Sequence, residues 1–321
     1  MSYAMNIDAV VVNYNAKEHL LDCVSSLQKA GVRHLVVVDS CSSDGSLETL
    51  AEMAFDILAV SMDKNRGYGA AVNYGMKLLD EKFSADAVTG NGQIKKGDGR
   101  GHIHKGSSGV EGEAVVLVCN SDVIVSDTAL DVLSKEFGKD NDLAIVGPKM
   151  LNPDGTVYPS FRLFPSILNG IGHGIVGLFL PRNRFSNRYK MADYDNETSR
   201  FVEWVSGACF MISMSAFEEV GGFDESYFMY GEDLDLCWRL KLAGWEVLFQ
   251  PKGAVTHFQG VSADKVPYRM IIEHHRSILR FLDRSLEGNS RFILPFAALG
   301  LGIRATVICA KTACGSIVFN R

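Results

Sequence analysis

The chain is expected to be an α/β protein: a mostly parallel, doubly wound sheet flanked by helices, with a C-terminal amphipathic helical tail. Three observations carry that expectation. Short apolar runs at 8–13, 35–38 and 114–119 alternate with longer stretches whose apolar residues recur at helical spacing. Each run stops at polar residues: Asn13, Asp39, and Asn120-Ser121-Asp122. Unbroken apolar runs of this length suit strands covered on both faces, and ligands in open α/β sheets bind beyond the carboxyl ends of such strands. Finally, the 321 residues are 47% hydrophobic and 22% charged, a globular balance with room for one large domain plus additions, or for two.

Residues 8–13 (Asp-Ala-Val-Val-Val-Asn) form the first expected strand, and Tyr14-Asn15 turns the chain. Leu20, Leu21, Val24 and Leu27 set a helix over 16–30, which Gly31 ends. A second strand, 35–38, closes at Asp39; the polar turn 40–46 leads into a helix, and Asp44, just before Gly45, is its expected cap. A third strand at 55–60 precedes Asn65-Arg66-Gly67-Tyr68-Gly69 and a helix over 70–79. Residues 81–113 break the alternation with Gly, Lys, Asp, Ser and His, and read as a surface insertion. The pattern resumes with the strand at 114–119, a helix over 127–137 and a strand at 143–146. Residues 159–189 mix apolar and basic side chains, as a core helix or a flap beside a membrane would. A strand within 202–214, a turn at 221–225, a helix over 232–240 closed by Gly244, and a strand at 247–249 follow, with His257 in a polar loop. The tail, 291–319, is apolar but interrupted by Arg304 and Lys311. That favours a helix lying in a membrane interface over one crossing it, with packing on the domain or in a homodimer as the alternative.

The net charge of −6 argues against nucleic acid as a partner. Seven scattered cysteines without a CxxC pair fit reduced, cytosolic thiols rather than disulfides or a thiolate zinc site. The N-terminus lacks signal-peptide organisation, and no uninterrupted apolar run reaches transmembrane length.

Chemistry is expected along the carboxyl edge of the sheet. A carboxylate at Asp122, where a strand ends, can hold a hard divalent cation, which takes one or two protein carboxylates plus phosphate oxygens. Asp39 could accept from a nucleotide base or ribose, or simply cap its own turn. Asn65 and Gly67 open a helix whose N-terminus attracts phosphate. At 232–239, helical spacing puts Glu232, Asp235 and Arg239 on one face and pairs Asp235 with Arg239. Asp233 instead shares the apolar side with Leu236, Cys237 and Leu240. An inward carboxylate in a first helical turn suits a general base, or a cap of backbone N–H groups. His257 could be a metal ligand or a phosphate contact.

In order and number, these motifs resemble glycosyltransferase family 2, the inverting transferases of GT-A fold that use nucleotide-sugars. They are Val-Val-Asn-Tyr-Asn (11–15), Val-Val-Asp-Ser-Cys-Ser-Ser-Asp-Gly-Ser (37–46), Asn-Arg-Gly-Tyr-Gly-Ala-Ala-Val-Asn (65–73), Asn-Ser-Asp (120–122), Ser-Gly-Ala-Cys-Phe-Met (206–211), Gly-Gly-Phe-Asp-Glu (221–225) and Tyr-Gly-Glu-Asp-Leu-Asp-Leu-Cys-Trp-Arg (230–239). The last, with His257 and Ser262 downstream, is similar to the rhamnosyltransferase branch, which includes the actinobacterial polyprenyl-diphosphate-N-acetylglucosamine rhamnosyltransferase. The resemblance implies a GT-A domain over 1–262, with 159–189 on the acceptor or membrane side, and a helical extension over 263–321. It implies Asp233 as catalytic base, supported by Glu232, Asp235 and Arg239. Asn13, Asn15, Asp39, Asn65, Gly67, Asn120, Ser121, Asp122 and Gly207 would line the nucleotide-sugar site, and Asp122 with His257 would hold Mg²⁺ or Mn²⁺. Asn120 stands where the family's Asp-x-Asp motif has its first Asp, one anionic ligand fewer. The implied donor is dTDP-rhamnose and the acceptor a glycan or a lipid-linked N-acetylglucosamine, used in cell-wall or surface-polysaccharide assembly at the inner face of the plasma membrane. A nucleotidyltransferase would carry a basic, Gly-rich first strand–helix turn, absent from Asn13-Tyr14-Asn15-Ala16-Lys17. A non-catalytic carbohydrate-binding protein would be expected to lose Asp122 or Asp233; both are present.

Overall fold

The computed structural model describes residues 7–53, 57–83, 114–165, 195–259 and 267–314. Most of the insertion read at 81–113, most of the 159–189 stretch and the boundary near 262 therefore lie outside the described residues.

The elements run β1 (Ile7–Asn13), α1 (Lys17–Lys29), β2 (Leu35–Asp39), α2 (Ser46–Ala51), β3 (Leu58–Ser61), α3 (Tyr68–Phe83), β4 (Val115–Asn120), β5 (Val123–Val125), α4 (Ala129–Phe137), β6 (Leu143–Leu151), β7 (Val157–Tyr158), β8 (Phe161–Arg162), β9 (Arg200–Val202), β10 (Trp204–Val205), β11 (Cys209–Ser213), α5 (Met214–Glu219), α6 (Glu232–Leu242), β12 (Glu246–His257), α7 (Pro267–Ser285), a 3₁₀ turn (Gly288–Ile293) and α8 (Leu294–Ala313). The main sheet has the order β3-β2-β1-β4-β11-β6-β12-β5. β1, β2, β3 and β4 pair in parallel, as do β6 and β12. β11 runs antiparallel between β4 and β6, the one reversal in the centre of the sheet. β8 and β10 form a separate antiparallel pair.

Alternation along the strands divides the core. Val10, Val12, Val36, Val38, Val116 and Val118 pack on one face with residues of α3 and α6. Ala9, Val11, Val37, Leu117 and Cys119 pack on the other with residues of α1 and α4. Both sets are buried, so the strands read as continuous apolar runs rather than alternating ones. Each fully buried valine contributes about 1.5–3 kcal/mol of transfer free energy.

One expectation needs correction, and the structure adds two features to the reading. β12 extends from Glu246 to His257, so His257 ends a strand and is buried, not placed in a polar loop. A short strand, β5, follows Asp122 directly and pairs antiparallel with the end of β12. The tail holds an unbroken 20-residue helix, Leu294–Ala313, with no buried residue. With the preceding turn, Ser290–Ala313 is long and apolar enough to cross a membrane by length and composition. The strongly amphipathic helix is α7, which packs against α8.

Candidate active site

The loop after β4 is pinned from three sides. Asn120 N–H donates to Ala208 O of the segment before β11 (2.9 Å), Ser121 N–H to Val12 O of β1 (3.1 Å), and Phe258 N–H to Asp122 O (3.0 Å). The carboxyl ends of β1 and β4 and the ends of β11 and β12 thus converge on Asn120-Ser121-Asp122. Asp122 is buried, and its Oδ1 lies 3.2 Å from His257 Nε2, itself brought in by the Val123–His257 register of β5 and β12. His257 Nδ1 is buried without a hydrogen-bond partner among the described residues.

Asp233 sits in the first turn of α6, beside the segment that leads into β11. Its Oδ2 accepts from Gly207 N–H and its Oδ1 from Leu234 N–H, both at 2.8 Å. A Cβ on residue 207 would meet Asp233 Cβ at 3.1 Å, so glycine there allows the carboxylate to rest on the backbone. Tyr68 Oη, at the start of α3, donates to Gly207 O at 2.6 Å and fixes the same peptide from its other side. Burial raises the Asp233 carboxyl above the usual range, against the two N–H donors and the positive charge of Arg162 from β8. The neighbouring Glu232 is 5% exposed, and burial, then the charge of Asp233, pushes its carboxyl up to about 8.

A second cluster lies at the ends of β1 and β2. Asn13 Nδ2 donates to Asp39 Oδ1 at 2.7 Å; Ser42 N–H donates to Asp39 Oδ2 at 2.8 Å and Ser42 Oγ to Oδ1 at 2.5 Å. Asn15 joins through its N–H to Ser42 Oγ and its Oδ1 to Ser43 N–H. Asp39 therefore organises its own turn, while Asn13 Oδ1 remains buried without a partner among the described residues. Asp44 caps two helices, accepting from Lys17 N–H (3.0 Å) and Ser46 N–H (3.1 Å). Asn65 Oδ1 accepts from Gly67 N–H. Gly67, at φ +100°, lies so close to Phe228 O that an added Cβ would sit 2.2 Å away.

Asp235 is fully buried and holds two guanidiniums, Arg239 Nε at 2.7 Å and Arg284 Nη1 at 2.9 Å. Glu232 makes neither contact, although helical spacing puts it on their face. The non-glycine residues with left-handed backbone among those described are Asn15, Cys41, Tyr230 and Gln259, in the loops after β1 and β2, before α6 and after β12. Such strain gathers where surrounding structure holds a loop for function. Sequence reasoning missed Ser42, Tyr68 and Arg162. Ser42 and Tyr68 stand inside quoted motifs, but Arg162 carried no local signal.

This arrangement, two carboxylates and a histidine above the carboxyl ends of a parallel sheet, coincides with a family relationship. Residues 5–276 match the family described as Glycosyltransferase like family 2. The chain belongs to glycosyltransferase family 2. The N-acetylglucosaminyl-diphospho-decaprenol L-rhamnosyltransferase of Mycobacterium tuberculosis is 33% identical over 278 residues, 86% of this chain and 83% of that protein. The low-salt glycan biosynthesis hexosyltransferase Agl10 of Haloferax volcanii is 22% identical over 298 residues, 89% of this chain and 76% of that protein. The rhamnosyltransferase WbbL of Escherichia coli is 30% identical over 125 residues, 39% of this chain and 44% of that protein. As a family 2 glycosyltransferase, this chain has the α/β sheet and the enzyme class expected from its motifs.

Family 2 enzymes of this fold generally use a divalent metal. Among the described residues no group of three or more His, Cys, Asp or Glu side chains could hold one. The donors available at the loop after β4 are Asp122 and His257. That set fits a hard cation completed by phosphate oxygens and water rather than an all-protein cage.

Proposed function

We propose that this chain transfers L-rhamnose from dTDP-L-rhamnose to a hydroxyl of polyprenyl-diphosphate-linked N-acetylglucosamine, with inversion, in cell-wall or surface-polysaccharide assembly. The 33% identity to the M. tuberculosis L-rhamnosyltransferase over 86% of this chain carries the substrate reading.

In this reading Asp233 is the general base. A raised carboxyl fits a group that must accept a proton near neutral pH, and Gly207 and Leu234 N–H groups hold it in one orientation. The acceptor oxygen attacks the anomeric carbon as Asp233 takes its proton. The bond from that carbon to the diphosphate oxygen breaks, and the nucleoside diphosphate leaves with the electron pair. Asn13, Asn15 and Asp39 would border the nucleotide base, with Asn13 and Ser42 fixing the Asp39 carboxylate. Gly67 and Asn65 would border the diphosphate. Asp122 and His257 would hold Mg²⁺ or Mn²⁺, which when bound supplies positive charge to the leaving diphosphate.

We also read α8 as a helix on the lipid surface, at the inner face of the plasma membrane. Phe296, Leu299 and Ile303 of α8, with Phe292 of the preceding 3₁₀ turn, are exposed and recur every three or four residues, one stripe along this segment. The opposite side packs on α7, where Arg304 Nη1 lies 2.8 Å from His275 Nε2. A helix docked on a charged, amphipathic partner is suited to lie in the interface rather than to cross it. A lipid-linked acceptor would then meet the site at the membrane.

The test is release of nucleoside diphosphate from dTDP-rhamnose in the presence of the lipid-linked acceptor. Release should need the acceptor and collapse in Asp233→Asn. Equal release from Asp233→Asn would remove the base assignment. Release only with another nucleotide-sugar would remove rhamnose.

A further inference from the structure

Two carboxyl groups stand side by side at the start of α6, and their surroundings differ. Asp233 has both oxygens occupied by backbone N–H donors. Glu232 is 5% exposed, and its Oε2 is buried without a hydrogen-bond partner among the described residues. An ionised carboxylate in that condition would face the cost of desolvation with only its own backbone N–H to offset it, whereas a protonated one loses far less. Arg239 of α6 and Arg284 of α7 are both held by Asp235. The charge of Arg162 acts on the Asp233 carboxyl. The Tyr68 phenol of α3 donates to Gly207 O and lies in the field of both carboxyls, and the Tyr227 ring lies in the loop ahead of α6, against Gly231. From α7, His274 reaches the same loop by its ring contact with Tyr230. None of these is a cation placed on Glu232.

We propose that Glu232 is a positioning residue acting through Asp233: its buried carboxyl is the uncharged member of the pair, so Asp233 alone carries the negative charge and alone accepts the proton of the acceptor. A second charge beside Asp233 would make that proton bind too tightly to be shed for the next turnover and would strain the buried start of α6. The direction of the Glu232 shift agrees with this assignment. The inference rests on the reading of Asp233 as the base.

The test compares the full chain as wild type, Glu232→Gln and Glu232→Ala. The amide keeps the shape and the missing charge; alanine leaves a hole beside Asp233. With dTDP-rhamnose and lipid-linked acceptor, Glu232→Gln should stay within about fivefold of the wild-type kcat at pH 7, and Glu232→Ala should fall at least tenfold below it. The wild-type rate should decline near pH 8, and that decline should vanish or move upward in Glu232→Gln. A folded Glu232→Gln as inactive as Asp233→Asn, or one with an unmoved alkaline decline, would overturn the proposal.

A readout independent of activity separates this from failure of the substrate reading. A carboxyl with a raised folded-state pKa binds its proton in the folded chain after the unfolded chain has released it. Wild-type stability should therefore fall relative to Glu232→Gln as pH rises from about 4.5 to about 8, and the gap should then stay constant. Thermal unfolding across pH 4.5–9 reads this as a Tm difference of a few degrees. Parallel pH dependence in the two proteins would overturn the proposal whatever the substrate.

Discussion

Asp233 and Gly207 are coupled by sub-ångström tolerances. The carboxylate rests on the Gly207 N–H at 2.8 Å, and a Cβ at 207 would press on Asp233 Cβ at 3.1 Å. Gly207→Ala should therefore turn the base without removing it. We expect kcat to fall about tenfold or more with donor KM little changed, measured by steady-state kinetics on a variant with wild-type circular dichroism. Asp233→Asn should cost about 10²–10⁴ in kcat, the range for loss of a general base. Tyr68→Phe removes only the 2.6 Å hydrogen bond to Gly207 O and should cost about 1 kcal/mol of stability with a severalfold loss of rate. Asp233 was legible in the sequence, because a carboxylate on the apolar side of a first helical turn is unusual enough to be noticed, whereas the contact of Tyr68 with Gly207 was not. The burial of Glu232 was not. Spacing put it beside Asp235 and Arg239, and spacing alone cannot tell which of two adjacent side chains turns into the protein at a helix start.

At the scale of elements, the anchor of α6 is the Asp235 cluster. Asp235 is 0% exposed, Arg239 14% and Arg284 39%. Removing the carboxylate leaves a buried guanidinium uncompensated, so Asp235→Ala should cost about 3–5 kcal/mol. Arg284 is screened by solvent, and Arg284→Ala should cost about 1 kcal/mol or less, despite its further contact with Asp224 at 2.6 Å. Urea unfolding of both variants checks the order, and equal losses would mean that Arg284 carries the cluster. The early strands were legible because both faces of β1, β2 and β4 are covered, which leaves unbroken apolar runs. The later ones were not. In β12 the segment Gln250-Pro251-Lys252-Gly253 reads as a turn, yet the strand continues through it with a register shift between Gln250 and Ala254. That bulge carries the chain on to His257, which is why a buried site residue looked like part of a loop. The reversed direction of β11 has no local signature, since period and apolarity are the same either way.

For the whole molecule, the question is what the α7–α8 pair does beside the domain. The stripe Phe292, Phe296, Leu299 and Ile303 is 58–71% exposed, a large apolar surface for an isolated chain. Length explains why the sequence did not settle this helix: Arg304 and Lys311 interrupt the apolar run, and only the structure shows Arg304 turned toward His275 of α7. Against a bilayer, the four side chains would enter the acyl boundary while α7 stays in the headgroup region. We therefore expect the full chain to float with anionic phospholipid vesicles, and Phe296→Ser with Leu299→Ser to lower that binding by about tenfold or more. Binding that survives alkaline carbonate extraction would indicate a helix crossing the bilayer, and loss of the α7–α8 packing with it. The double variant should keep its rate toward a water-soluble, short-chain acceptor and lose rate toward a long-chain acceptor in vesicles. Equal losses toward both would move the effect from the membrane into the site. Wild-type binding to neither anionic nor neutral vesicles, with a dimer in sedimentation that the double variant abolishes, would assign the stripe to a second copy of the chain.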